Sequence, residues 1–267
     1  MLRHTMTEVK ASQAPAAALN GKVVVVTGAS SGIGRAIALA CARAGAAVAT
    51  TYRSNRAGAE SVMAEVQAMG RETLAVPADI AVEADITRLA TALRERFGRV
   101  DAWVNNAGAD ILTGGGARLS RLEKLDLLLS VDLRGTMLAS WAAVAMMRAQ
   151  PAGGVIINMS WDGVLQGMQG EDPELFAAAK GGVLSFSKAL ARSVAPAVRV
   201  NVIGPGWIET AFGEGADSDF RRRIARSIPL ARWGTPEDVA GAAVFLASDA
   251  ATYITGQLIL VNGGDVM

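Results

Sequence analysis

The sequence predicts one α/β domain, a doubly wound parallel sheet of about seven strands with helices on both faces. Three observations predict it. Short apolar, β-branched runs alternate with helical stretches from Lys22 to Val261. The first run, Lys22–Thr27 (KVVVVT), is apolar without alternation, as a strand covered on both faces requires. A glycine-rich turn, Thr27-Gly28-Ala29-Ser30-Ser31-Gly32-Ile33-Gly34, joins it to the next helical stretch.

The elements follow in order. Ile33–Gly45 reads as a helix that Gly45 stops, and Ala47–Tyr52 as the second strand. Ala57–Met69 is a helix stopped by Gly70, followed by strand Glu72–Pro77, helix Glu83–Phe97 and strand Ala102–Asn105. A long helix near Arg121–Gln150 leads to strand Val155–Met159. Helix Glu174–Val194, strand Arg199–Ile203, helix Pro236–Ser248 and strand Gln257–Val261 complete the chain. Strict alternation with right-handed crossovers leaves the doubly wound sheet as the natural solution. Residues 1–19 read as a flexible tail and 20–267 as the domain.

Composition narrows the function. Of 267 residues, 51% are hydrophobic and 19% charged, enough apolar material for a sizeable core. A net charge of +1 gives no drive toward nucleic acid or an anionic membrane, and neither is expected as a partner. The lone Cys41 excludes an intramolecular disulfide and a cysteine metal cluster. The only histidine, His4, lies in the tail, so no metal and no histidine chemistry are expected. Glu8 and Lys10 interrupt the N-terminal segment, which therefore does not read as a signal peptide. No run reaches the ~18 apolar residues of a membrane span. The expected location is the cytoplasm.

The glycine turn is the strongest functional signal. Glycines let a backbone turn sharply and approach a pyrophosphate, and the helix N-terminus behind them offers free N–H groups. Strand, turn and helix stand in the order that a Rossmann-type nucleotide site requires. The spacing is GxxxGxG rather than GxGxxG.

TGxxxGIG resembles the short-chain dehydrogenase/reductase family, and its 3-oxoacyl-acyl-carrier-protein reductase-like members in particular. Asn105-Asn106-Ala107-Gly108 resembles that family's NNAG, and Asp79-Ile80 its adenine-contacting acid. Pro205-Gly206, Ile208 and Thr210 fall on its PGxxxT, which embraces the nicotinamide. Ile254-Thr255-Gly256-Gln257 and Asn262-Gly263-Gly264 resemble its C-terminal signature. The resemblance runs from about Leu19 to the C-terminus with the motifs in order.

The cofactor's phosphate state is argued from charge. An acid about 20 residues past the first glycine would bond a ribose 2′-hydroxyl. Here the second strand ends Thr51-Tyr52-Arg53-Ser54, without one. A guanidinium pairs with a 2′-phosphate, so Arg53 points to NADP(H) in preference to NAD(H), with Arg35 as a second candidate. The plain alternative is a solvated strand end.

At the catalytic end the family pattern fails. The resemblance implies a Tyr that protonates the substrate oxygen, a Lys four residues on, a Ser that polarises the carbonyl, and an Asn that holds a relay water. The YxxxK position reads Phe176-Ala177-Ala178-Ala179-Lys180, and phenylalanine has no proton to give. Asp132 stands at the Asn. Aligned on Gly163, the Ser is Ser160, the preferred assignment; aligned on Asn158, it is Trp161. Asp132 and Asp162 are the candidate replacement acids, although a buried Asp beside Lys180 stays ionised and pairs with it.

Lesser features have plain readings. Met137, Met146 and Met147 serve packing, and Gly114–Gly116 makes a flexible wall. Trp207–Ile228 occupies the family's substrate lid, and Arg221–Arg223 reads as a solvated helix face before an anion site. The long helix and Glu174–Val194 are apolar around much of their circumference, and the resemblance implies pairing into a homotetramer, with a homodimer as fallback. The expected function is an NADP(H)-dependent oxidoreductase on a carbonyl or alcohol substrate. The main alternative is a catalytically impaired nucleotide-binding sensor or oligomer partner; a dehydratase or isomerase ranks third.

Overall fold

The computed structural model describes residues 17–210 and 217–267. Seven parallel strands form one sheet in the order β3-β2-β1-β4-β5-β6-β7. They are β1 (Val23–Val26), β2 (Ala47–Tyr52), β3 (Thr73–Pro77), β4 (Ala102–Asn105), β5 (Gly154–Met159), β6 (Val198–Pro205) and β7 (Leu258–Val261). The strand order reverses between β1 and β4, so the crevice beyond their carboxyl ends is the place for a ligand.

Helices α1 (Gly32–Arg43), α2 (Arg56–Ala68) and α8 (Pro236–Ala247) cover one face. Helices α3 (Glu83–Phe97), α5 (Thr136–Arg148) and α6 (Glu171–Val194) cover the other, with α4 (Arg121–Leu128) leading into α5. A strand turns successive side chains to opposite faces. Accordingly Val24 and Val26 join the core under α1 and α8, while Val25 joins Trp103 under α3 and α5. Helix α7 (Ser218–Ser227) lies in the lid region, six of whose residues, 211–216, fall outside the described residues.

Four differences from the sequence reading have physical causes. Leu19, assigned to the tail, is fully buried, and its N–H donates to the Ala44 carbonyl at 2.9 Å; residues 1–16 lie outside the described residues. Helix α6 starts at Glu171 rather than Glu174, because proline is tolerated in a first turn and Pro173 sits there. Its Glu171, Asp172 and Glu174 therefore lie at the positive end of the helix dipole.

The long helix is continuous from Arg121 to Arg148, but Leu129–Gly135 within it is a π-turn. By length and composition this run would also cross a bilayer, yet half of its apolar window is buried inside the fold, as in a core helix. Gly135 and Gly182 seat the π-turn: a Cβ at either would lie 3.0 Å from Ile80 or Leu133.

Candidate active site

A cleft of about 1010 Å³ opens at the strand reversal. Its floor is a knot between two turns. Thr27 Oγ1 accepts the N–H groups of Asn106 and Ala107 at 3.0 Å each, and Asn106 Nδ2 donates to the Thr27 and Gly28 carbonyls at 3.0 and 3.1 Å. Gly28 sits at φ +64°, and a Cβ there would lie 2.8 Å from the Ala107 backbone. A Cβ on Gly34 would lie 2.4 Å from Asn106 Nδ2. These two glycines let the turns touch.

The first turn of α1 carries no acidic residue, and the Ser31 side chain does not cap it. Its N–H groups are therefore left for a ligand, as at an anion site. Gly28, Ser30, Ser31, Ile33 and Gly34 line the cleft beside this end; Gly32, at φ +54°, completes the turn, with Thr210 the nearest group on its open side.

Arg53, Ser54, Asp79, Ile80, Asn106, Ala107 and Gly108 line the same cleft, as do Pro205, Gly206, Ile208 and Thr210. The structure thus gathers the residues singled out from the sequence onto one surface. Asp79 Oδ1 accepts from the Ala81 N–H at 2.9 Å, which shapes the turn after β3. Arg53 is exposed and makes no ion pair among the described residues. Arg35 is a correction: Glu65 holds its guanidinium with both oxygens, at 2.8 and 2.9 Å, so its charge is already matched.

At the other end, Asp132 lies in the π-turn, 1% exposed. Its Oδ1 accepts the Ala109 N–H at 2.7 Å, and its Oδ2 stands 2.8 Å from Lys180 Nζ. Lys180, also buried, donates to the Met159 carbonyl at 3.3 Å and lies 5.6 Å from the centre of the Phe176 ring. The Trp161 and Phe176 rings meet edge to face, 5.6 Å apart.

Ser160 lines the cleft beside Trp161. Its hydroxyl donates to the Lys180 main-chain carbonyl at 2.9 Å, inside the fold, so its one proton is committed. The alternation of β5 explains this. Asn158 and Ser160 point to the α6 side and Met159 to the other, and Trp161, just past the strand, enters the cleft against Phe176.

Asp162 is the second correction. It lies behind Gly206, its Oδ2 accepting from Asn262 Nδ2 at 3.2 Å. Burial pushes its carboxyl above the usual carboxylate range, against the Asn262 bond. It ties the end of β5 to the C-terminal segment.

Two features were not read from the sequence. Asn105 Nδ2 donates to Asn158 Oδ1 at 2.8 Å and to Ser140 Oγ at 2.9 Å, while Asn158 Nδ2 donates to Ser187 Oγ at 2.8 Å. This buried network pins the ends of β4 and β5 to α5 and α6. In the lid region, Trp207, Phe220 and Trp233 form an aromatic cluster, with Arg221 over Trp233 and Arg223 over Phe220. Arg221 also pairs with Glu209 and Arg222 with Asp219, so the arginine run is tied down locally.

A glycine turn under an uncapped helix at a strand-order reversal, facing a buried lysine, defines a dinucleotide-binding α/β protein. The comparisons with known proteins carry this further. Residues 28–265 match a family model described as enoyl-(acyl carrier protein) reductase. A 3-oxoacyl-acyl-carrier-protein reductase from Synechocystis is 39% identical over 94% of this chain and 99% of its own. One from Staphylococcus aureus is 35% identical over 92% and 98%.

A short-chain dehydrogenase/reductase from Serratia marcescens superposes with a TM-score of 0.84 at 33% identity, over 94% of this chain and all of its own. A short-chain dehydrogenase from Burkholderia cenocepacia, in complex with NADP, does so at 0.83 and 31%, over 93% and 99%. The chain belongs to the short-chain dehydrogenase/reductase family, a family of oxidoreductases.

Proposed function

We propose that this protein is a cytoplasmic, NADP(H)-dependent oxidoreductase that acts on a carbonyl or alcohol substrate through an atypical site, as a homotetramer built from dimers. The observation that carries the cofactor half is the uncapped, acid-free first turn of α1, with Arg53, which makes no ion pair among the described residues, along the same cleft. The residues present fit the group. The N–H groups of α1 would hold the pyrophosphate, Arg53 and Ser54 the 2′-phosphate, Asp79 and Ile80 the adenine, and Pro205, Gly206, Ile208 and Thr210 the nicotinamide. When bound, the reduced cofactor supplies a hydride.

The chain's own residues then orient the substrate. Phe176 and Trp161 form an apolar wall, and the Asp132–Lys180 pair fixes the π-turn against the 105–109 loop. Of the two residues at the family's proton-donating positions, Phe176 has no hydroxyl and Ser160 donates its own inward. That observation also favours the second reading, a nucleotide-binding member without turnover.

Calorimetric titration with NADPH and NADH, followed by a ketone panel, tests the proposal. A charge-assisted contact contributes about 1.5–3 kcal/mol, so NADPH should bind roughly ten- to a hundredfold more tightly. Arg53→Asp should reverse the order. A preference of the wild type for NADH would reject the cofactor reading, and absence of all ketone turnover would select the second reading.

A further inference from the structure

We infer that the Phe176 end of the cleft takes a substrate carrying a cationic nitrogen, an iminium carbon–nitrogen double bond in place of a ketone. This rests on the NADP(H) reading above and assigns its substrate class.

Two observations lead to it. The first is proton supply. A ketone that accepts a hydride becomes an alkoxide and needs a proton. Phe176 offers none, Ser160 has committed its own to the Lys180 carbonyl, and Lys180 is held by Asp132 at 2.8 Å. An iminium needs no proton. The hydride forms one C–H bond, the C=N π pair becomes the nitrogen lone pair, the dihydronicotinamide would become the oxidised nicotinamide cation, and the product is a neutral amine.

The second is the cleft's preference in charge and shape. The Trp161 and Phe176 rings line it, and aromatic faces attract cations within about 6 Å. Lys180 Nζ already stands 5.6 Å from the Phe176 ring centre. Its charge is matched by Asp132, and that of Asp172 by Lys124 at 2.9 Å. Asp110, which lines the same cleft, has no cationic partner among the described residues. Burial pushes its carboxyl up, but the bonds from Thr113 and the Leu112 N–H outweigh this and hold it below the usual carboxylate range. The cleft therefore keeps a carboxylate that no cation among the described residues neutralises.

The test compares two probes of one bicyclic outline, N-methyl-dihydroisoquinolinium and the neutral ketone tetralone. Binding is read by calorimetry and Trp fluorescence on the full chain, with and without saturating NADP. The iminium should bind at least about tenfold more tightly, as cation–π contact in a partly desolvated site allows. Asp110→Asn and Trp161→Leu should each shrink that ratio, and salt should weaken the iminium alone. With NADPH the iminium should be consumed and the ketone left.

Equal binding of the probes, no binding of the iminium, or a ratio unmoved in both variants overturns the inference. Failure of NADPH to bind while the iminium preference stands overturns the cofactor reading instead.

Discussion

At the scale of single residues, Phe176 keeps a tyrosine's ring without its hydroxyl. General acid–base catalysis typically contributes about 10²–10⁴-fold, so wild-type turnover of simple ketones should be weak. Phe176→Tyr should raise it by roughly 10²-fold where Lys180 is available to the new hydroxyl. Asp132 opposes this, because its carboxylate stands 2.8 Å from the ammonium. The double variant Phe176→Tyr with Asp132→Asn should therefore exceed the single one, its Asn still able to accept the Ala109 N–H. Removing half of a buried ion pair typically costs about 3–5 kcal/mol, so Asp132→Asn alone should melt lower. Steady-state rates and melting curves on the three variants check both halves; ketone reduction by the wild type at the double variant's rate would refute the account. Asp162 gives a pH prediction. Its carboxyl titrates above the usual range because it is buried, so its ionisation costs stability, and the cost enters as pH rises through the folded-state value. Asp162→Asn should raise the melting temperature at neutral pH, and the gain should vanish in acid, where the wild-type carboxyl is protonated. A gain independent of pH would contradict the assignment.

At the scale of elements, the glycine turn and α1 act as one piece with the 105–108 loop. Gly34→Ala would drive a methyl to within 2.5 Å of the Gly28 carbonyl and 2.4 Å of Asn106 Nδ2. The knot must open, so nucleotide affinity should fall by at least about tenfold while the far-UV signal of the sheet persists, since the clash is confined to the turn. Unchanged affinity would show that the knot does not shape the site. The same scale explains what was legible. Strands and helices were readable because burial on two faces leaves continuous apolar runs and burial on one face leaves a helical period. The π-turn was not, because one extra residue in a turn barely disturbs that period, yet it sets where Asp132 points. The choice between Ser160 and Trp161 turned on a shift of one residue at the end of β5, and both side chains line the cleft. Arg35 read as a second phosphate candidate because its partner Glu65 lies 30 residues away on another helix.

At the scale of the whole molecule, two separate surfaces remain apolar. On the first, Trp141 of α5 is 51% exposed with its edge toward Phe186 of α6, and Leu122 and Leu129 lie exposed on the same helical run. On the second, Phe245 of α8 and Tyr253, in the segment between α8 and β7, are exposed. Large apolar side chains grouped on a helix surface mark a contact surface more than a solvated one. One self-complementary surface closes a two-fold dimer, and two different ones close a tetramer with mutually perpendicular axes. Two such surfaces support the proposed homotetramer. Charging one surface should then leave the other intact. Trp141→Glu should yield a dimer held through the Phe245 and Tyr253 side, and Tyr253→Glu with Phe245→Glu should yield a dimer held through α4, α5 and α6. Light scattering at micromolar concentration distinguishes the masses. A monomeric wild type would sink the proposal outright. A tetramer that survives both changes would place the interfaces elsewhere on the surface.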